Sequence, residues 1–333
     1  MDVLDIFNGN AYNAISMTET INLLPHTPTR IQQMGLFQES GITTPTLVIN
    51  EKKGELMLLP TAGRGSMPTF NQEDKQRLRS FVVPHIPKND DVMADELIGL
   101  RHFGEGPMAM SDTPVATVVA EKLAKMRAEH ELTWEWHRIG AVKGVVLDAD
   151  GTNVVYDWFQ EFGITKKVET YNPANANDLA RICRVIKRHM ADTLGATVLN
   201  GIHCFVGSDF MDAMSTDTFI NEAFARWRDG EHLRSNFAYE GFYYQGVTFE
   251  EYRGQLGTTR FVDADKAHAF PTGTNRFLRR NAPGSMIEAV GTVGQQMYAS
   301  QERKRHGQGI DIHTQSNPIF VCSQPGVLVE LTL

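Results

Sequence analysis

Apolar residues recur every three or four positions across residues 113–142, TPVATVVAEKLAKMRAEHELTWEWHRIGAV, which is the strongest helix pattern in the chain. Val115, Val119, Leu123, Met126, His130, Trp134 and Ala141 follow the helical period for most of this run. Thr113 is the expected N-cap, and Pro114 fits the first helical position, where no amide donor is needed. Glu121 stands four residues before Lys125, a favourable pair on the exposed side. At ~1.5 Å per residue a helix over 114–142 is about 43 Å long, more than a globular domain usually needs. Its charges exclude a membrane span. Its polar face, with Glu121, Lys125 and Glu129, is expected at an outer surface or a neighbour rather than in a pocket.

The pattern before this helix is weaker. Residues 1–45 hold Pro25, Pro28 and Pro45 and little periodicity, so they read as an irregular arm with one short helix over Pro28–Phe37, capped by Thr27. Thr46–Asn50 and Glu55–Leu59 are apolar runs around Glu51-Lys52-Lys53-Gly54, which predicts a β-hairpin. Pro60–Pro68 is a loop by composition, and Lys75–Ile86 is a further strand that pairs back to give an elongated β-loop. Asp90–Arg101 reads as an acidic-started helix, followed by Gly104, Gly106 and Pro107.

After the long helix, Lys143–Leu147 and Val154–Trp158 flank Asp148-Ala-Asp150-Gly-Thr-Asn153, a hairpin turn by composition. Strands are expected over Ile164–Thr170, Thr197–Val206, Phe237–Val247 and Phe261–Pro271. Helices are expected over Asn177–Thr193, Ser208–Met214 and Thr218–Arg228, with a short helix or turn in Asn281–Val290. The chain closes with short strands at Ile310–Thr314, Ile319–Ser323 and Val327–Leu333. Strands come in clusters rather than alternating with helices, so the fold class is α+β.

Composition changes the picture mainly by exclusion. The chain has 333 residues, 41% of them hydrophobic and 22% charged, which is enough for a sizeable core. A formal net charge of -8 argues against a surface devoted to nucleic-acid binding. Cys183, Cys204 and Cys322 are far apart and odd in number, so neither a disulfide framework nor a zinc site is implied and a reducing compartment fits. The opening MDVLDIFNGNAY has no apolar core segment and no window approaches a transmembrane run, so the chain is expected to be soluble and intracellular when made.

Candidate chemistry is sparse. Val145–Thr152, VVLDADGT, matches the opening motif of haloacid-dehalogenase-type phosphatases, in which Asp148 would attack phosphorus, Asp150 would act as acid/base and Mg²⁺ would sit between them. The motif follows a long helix and precedes another β-run, so a hairpin turn explains the same residues. His189, His203 and Cys204 fit no zinc spacing, and His203 and Cys204 are expected on opposite faces of a strand. His130 and His137 read as packing residues, and Glu302–His306 as a short basic cluster that either is solvated or meets acidic groups. Gly63-Arg64-Gly65-Ser66 fails both nucleotide-loop fingerprints. No catalytic, cofactor-binding or metal residue is assigned, and the chain is expected not to be an enzyme.

The ordered set of segments resembles the tailed-phage major capsid proteins, in the phage lambda major head protein (capsid protein E) family. It is carried by Thr27-Pro-Thr-Arg30, Gly35-Leu-Phe37, Gly41-Ile-Thr-Thr-Pro-Thr46, Val48–Gly54, the loop through Gly63–Gly65 and the long helix. Leu147–Gly151, Phe270–Gly273, Gln315–Pro318 and Val327–Leu331 continue it in order. The resemblance implies a Hong Kong 97-like fold, with an N-terminal arm at 1–45, an extended E-loop at 46–86, and a peripheral domain at 87–173 and 266–333 that includes a spine helix at 113–142. An axial domain is implied at 174–265. It further implies self-assembly into hexamers and pentamers of an icosahedral shell around double-stranded DNA, assembled in the host bacterial cytoplasm and expanding from procapsid to capsid. Scaffolding, portal and decoration proteins are the implied partners. Lys52 and Lys53 lie where some members form covalent crosslinks, but are read here as solvated turn lysines. An encapsulin-like protein shell remains the other reading of the same fold.

Overall fold

The structure, a computed structural model, describes residues 13–24, 29–53, 75–98, 112–175, 177–195, 197, 199–217, 220, 241–256 and 259–333. Helix α1 (Ala14–Leu23) starts on Asn13, whose side chain accepts from the Ser16 amide at 2.8 Å. It lies in the stretch expected to be irregular: Met17 and Ile21, four residues apart, supply a buried stripe too short to stand out against the surrounding Thr and Asn. The short α2 (Arg30–Gln33) falls inside the expected helix, and β1 (Gln38–Gly41) follows it.

Strands β2 (Thr46–Lys53) and β3 (Lys75–Val82) form an antiparallel ribbon, with Thr46 opposite Val82 and Lys53 opposite Lys75. This corrects the local hairpin. Glu51, Lys52 and Lys53 continue the strand rather than turn it, because a long ladder to residues 75–82 is available. Residues 55–59, the Gly63–Ser66 loop and Gly104–Pro107 lie outside the described residues. The strand expected over Lys75–Ile86 is broken at Val83–His85, and β4 (Ile86–Met93) begins beyond it. Asp90–Met93 therefore belong to a strand and not to a helix. Val92 buries and pairs with Ile310, and that tertiary ladder overrides the acidic start signal. Only α3 (Ala94–Ile98) remains of the expected helix.

The long helix is continuous as α4 (Asp112–Lys143), 32 residues and about 48 Å at 1.5 Å per residue. It begins one residue before the expected cap at Thr113. It stops at Gly144, whose φ of +84° suits glycine and whose carbonyl accepts from the Trp158 amide at 2.9 Å. Strands β5 (Val145–Leu147) and β6 (Val154–Asp157) fold back as an antiparallel hairpin. The hairpin packs so closely that a Cβ on Gly140 would meet the Val146 Cα at 2.8 Å. Next come α5 (Trp158–Phe162), β7 (Lys167–Thr170), α6 (Asp178–Leu194), β8 (Gly201–Val206) and α7 (Ser208–Thr216). The helix expected at Thr218–Arg228 lies outside the described residues apart from Ile220.

Strands β9 (Gly241–Tyr244), β10 (Val247–Glu251), β11 (Gln255–Leu256), β12 (Thr259–Arg260) and β13 (Lys266–Thr272) follow. The chain ends with β14 (Phe277–Asn281), β15 (Tyr298–Arg303), β16 (Gly309–Ser316), β17 (Pro318–Cys322) and β18 (Val329–Thr332). Strands β14 and β15 were not expected. Between them the anticipated short helix shrinks to a single 3-10 turn at Ile287–Ala289.

Three cores hold these elements. The first joins α1, the ribbon base, the β15-β16-β4 sheet and one side of α4, through Met17, Phe81, Val92, Met126 and Trp134. The second lies between α6 and one face of the six-stranded sheet β7-β18-β13-β8-β10-β9. There Ile182, Ile186 and Met190 meet Cys204, Phe249 and Leu331, each large apolar side chain contributing roughly 1.5–3 kcal/mol by burial. The third lies on the opposite face of that sheet, where Phe205 and Phe270 meet Ile139 and Val142 from the end of α4. The sheet thus draws strands from both the stretch expected to be axial and the stretch expected to be peripheral.

Candidate functional site

The two halves of α4 meet different surroundings. Over the first half the expected periodicity holds: Val119, Leu123 and Met126 are buried, while Glu121 and Lys125 are exposed. Glu129 is half-exposed and lies 2.9 Å from Lys88. Over the second half nearly every position is buried, including Glu131, Glu135, His137 and Arg138. Charge at these depths survives only where it is paired and hydrogen-bonded.

Glu135 is the centre of that pairing. One carboxylate oxygen accepts from the Thr29 hydroxyl at 2.6 Å and the other from the Ile31 amide at 3.0 Å and the Tyr252 hydroxyl at 2.9 Å. Arg138 donates to Glu135 at 3.4 Å. One residue along the arm, Arg30 grips Glu250 of β10 with two bonds of 2.7 Å, and His203 stands 3.0 Å from the same carboxylate. Burial works to raise the Glu250 carboxyl, but the Arg30 and His203 hydrogen bonds outweigh it and hold it below the usual range. The arm is therefore fastened to the long helix and to the six-stranded sheet at successive residues.

A second buried cation extends the cluster. The Arg279 guanidinium lies 4.0 Å from the Trp134 ring centroid, donates to Glu39 at 3.0 Å and to Asn281 at 3.1 Å, and so ties β14 to the helix and to β1. Burial pulls its pKa down to about 10 against the opposing pull of Glu39. Arg138 stacks over Phe320 at 5.4 Å. These groups face one another inside the fold, an arrangement that fixes orientation between elements. Sequence reasoning missed Arg30, Glu135, Arg138, Glu250 and Arg279, because nothing local marks a charged residue whose partners are a hundred residues away.

The ribbon has two unlike faces. Leu47 and Phe81 turn inward, and Phe81 meets the Trp158 ring edge-on at 5.3 Å. Arg79 lies 5.0 Å from the Phe162 ring centroid and donates to the Phe162 carbonyl at 3.2 Å. By the strand alternation and the register, Val48, Leu78 and Val82 share the opposite face, and all three are exposed.

The residues singled out for chemistry do not converge. Asp148 and Asp150 sit in the exposed turn between β5 and β6, and Asp150 accepts from the Thr152 and Asn153 amides at 2.9 and 3.0 Å. Those amide bonds hold the Asp150 carboxyl below its usual range. The phosphatase reading needs a parallel strand end and is overturned by antiparallel pairing of Val145 with Asp157. Asp150→Ala is expected to lower the melting temperature slightly by loss of these turn hydrogen bonds, read by thermal unfolding.

His189 bonds the Gly326 carbonyl at 2.8 Å, His203 faces Glu250, and Cys204 points into the other core, so these three form no common site. In the basic cluster, Lys304 bridges Asp91 and Asp311, which are the acidic groups it meets. A cavity of about 250 Å³ beside α7 is lined by Ser208, Arg253 and Arg260 among others. Its arginines already bond Glu251 and Ser208 at 2.7 Å. No helix among the described residues is long and apolar enough to cross a membrane.

A family model described as phage major capsid protein E matches residues 13–333. The major capsid protein of Salmonella phage Felix O1 is 28% identical over an alignment of 355 positions, gaps included, that spans 95% of this chain and 94% of that protein. The major capsid protein of Pseudomonas phage KPP10 is 25% identical, with 96% and 97% covered. Among solved structures, a prophage capsid protein of E. coli CFT073 is similar in fold, with a TM-score of 0.54 at 13% identity. That match covers 96% of this chain and 99% of that chain.

Proposed function

The chain belongs to the phage major capsid protein E family, and from that premise we propose that its copies tile as hexamers and pentamers around packaged double-stranded DNA. It is a structural shell protein of the virion capsid and not an enzyme. Its fold is the α+β, Hong Kong 97-like type. Self-assembly into a multimeric shell is the function of such a chain, and membership of the family sets aside the phosphatase and the cargo-enclosing compartment.

The assignment of parts is our reading. Residues 1–45 act as the arm and 46–86 as the E-loop that reaches a neighbouring subunit. Residues 87–173 and 266–333 form the peripheral domain on the spine helix, and 174–265 the axial domain that meets its copies at the capsomer centre. Assembly takes place in the host cytoplasm with scaffolding and portal proteins, decoration proteins cover the finished shell, and the procapsid expands on maturation. The acidic balance of the chain, -8 formally, suits a container that must not grip its DNA. The observation that carries this reading is the ribbon, whose apolar outer face of Val48, Leu78 and Val82 stays in solvent on a single chain.

Electron microscopy of the purified full chain is expected to show shells, tubes or capsomers, and a chain that stays monomeric at high concentration overturns the reading. DNA inside native particles separates it from a shell that encloses protein cargo. Mature particles are expected to run as a single band on a denaturing gel. A covalent ladder there would show that Lys52 or Lys53 crosslinks.

A further inference from the structure

We propose that the outward face of α6 is a binding site for the phosphodiester backbone of double-stranded DNA, held by Arg184, Lys187 and Arg188. The proposal rests on the shell reading, which brings double-stranded DNA within reach of the chain. Helix α6 is two-sided. Leu179, Ile182, Ile186 and Met190 are buried against the six-stranded sheet, and Arg181, Arg184 and Arg188 are exposed on the other side. Their three- and four-residue spacing puts them on one face. From Arg181 to Arg188 the helix axis rises about 10 Å at ~1.5 Å per residue, a length that one DNA strand fills with about three phosphates. Lys187 borders this row. Its stem is laid along the β9–β10 turn, where a Cβ on Gly246 would meet the Lys187 Cδ at 3.3 Å.

The charge of the row is not spent inside the chain. Arg181 alone is engaged there, by Asp178 at 2.8 Å and Glu169 at 3.3 Å. No carboxylate among the described residues forms an ion pair with Arg184, Lys187 or Arg188, and the row ends one turn later at the exposed Asp192. These cations stand out on a chain whose formal net charge is -8. The face also lacks an anchor for a protein. None of the large apolar side chains of α6 is exposed, whereas protein interfaces centre on aromatic and apolar anchors. Guanidinium groups without an apolar companion suit phosphate oxygens, which the planar fork can bind with two parallel bonds. Contacts to phosphate carry no sequence information, as a container for any DNA requires. Three contacts per chain make a light hold that salt loosens.

Fluorescence anisotropy tests the site, with short labelled duplexes of different sequence titrated by the unassembled full chain at several salt concentrations. Arg184→Gln with Arg188→Gln is expected to weaken binding to every duplex alike. It should lower the slope of log affinity against log salt by about 2, roughly one for each lost phosphate contact. Both side chains are exposed, so the melting temperature of this variant is expected to match wild type. Lys125→Gln with Arg305→Gln removes the same charge from other exposed positions and is expected to leave the slope unchanged. An equal fall in both double variants would mean that net charge alone matters, and overturns the proposal. A wild-type chain that binds no duplex at low salt also overturns it, and retention of that chain on polyglutamate would then assign the row to an acidic protein. Electron microscopy separates this outcome from the shell reading. Shells formed by a chain that binds no duplex leave the shell reading standing, and a monomeric chain whose slope falls in the Arg184→Gln, Arg188→Gln variant keeps the site and removes the shell.

Discussion

Lowering the pH from 6.5 to 4 is expected to remove about 3 kcal/mol of folding stability for each of two histidines in α4, His130 and His137. Burial pulls both down to about 4 in the folded chain, against 6.5 for the free side chain, and each pKa unit is worth ~1.4 kcal/mol. Above pH 6.5 both states are neutral at these sites and nothing is lost. Between 6.5 and 4 the unfolded chain binds the protons and the folded chain does not, so stability falls as pH falls. Below about 4 both states are protonated and the loss levels off.

The geometry at His130 explains why it resists. The Thr314 hydroxyl donates to the Lys88 carbonyl, so it must accept from His130 Nε2 at 3.2 Å. The Trp134 indole donates to Ser316 Oγ at 3.1 Å, and the Ser316 hydroxyl is then free to donate to His130 Nδ1 at 2.9 Å. The chain of bonds is complete only for a neutral imidazole, and a second ring proton would face a donor. Urea denaturation of the unassembled chain at several pH values checks this. His130→Gln is expected to be less stable than wild type at pH 7 and to lose roughly half of the slope between pH 6.5 and 4. An unchanged slope would assign the acid sensitivity to other groups.

Much of the fold was legible because it is written in local spacing. Val119, Leu123 and Met126 repeat at helical intervals, and the helix stands where that pattern places it. The Asp-Ala-Asp-Gly-Thr-Asn turn sits between two short strands, as turn chemistry requires. Pairing between strands far apart in the chain was not legible. Residues 90–93 carry acidic residues suited to a helix start, yet Val92 lies opposite Ile310, more than two hundred positions away. The return of residues 75–86 onto the 46–59 hairpin was expected, but a tight turn at 51–54 was placed inside what is a strand running to Lys53 and pairing directly with residues 75–82. The buried charges of α4 were hidden for the same reason. Glu135 looks like any solvated helix glutamate until Thr29, Ile31 and Tyr252 arrive around it.

Glu135→Ala is accordingly expected to cost about 3–5 kcal/mol, the range for breaking a buried ion pair. The substitution removes the acceptor for Thr29, Ile31 and Tyr252 and the nearer carboxylate of Arg138. Arg138 is 1% exposed at its side chain and would retain Glu39 at 3.9 Å and the Thr29 hydroxyl at 3.1 Å. An unpaired buried donor carries its own desolvation cost, so three lost partners weigh more than one cavity. Glu135→Gln keeps one acceptor oxygen and the side-chain shape, so its loss should be smaller, about 1–3 kcal/mol. Urea denaturation of the unassembled chain orders the two variants, and hydrogen exchange at the Ile31 amide reports the local effect. That amide bonds the carboxylate directly, so its protection should fall in both variants and furthest in Glu135→Ala. Because Arg30 binds Glu250 beside this point, exchange in β10 should rise along with it if the arm couples the long helix to the six-stranded sheet. Faster exchange at Ile31 with β10 unchanged would mean that the arm is anchored at two independent points, and the coupling would fail while the burial argument stood.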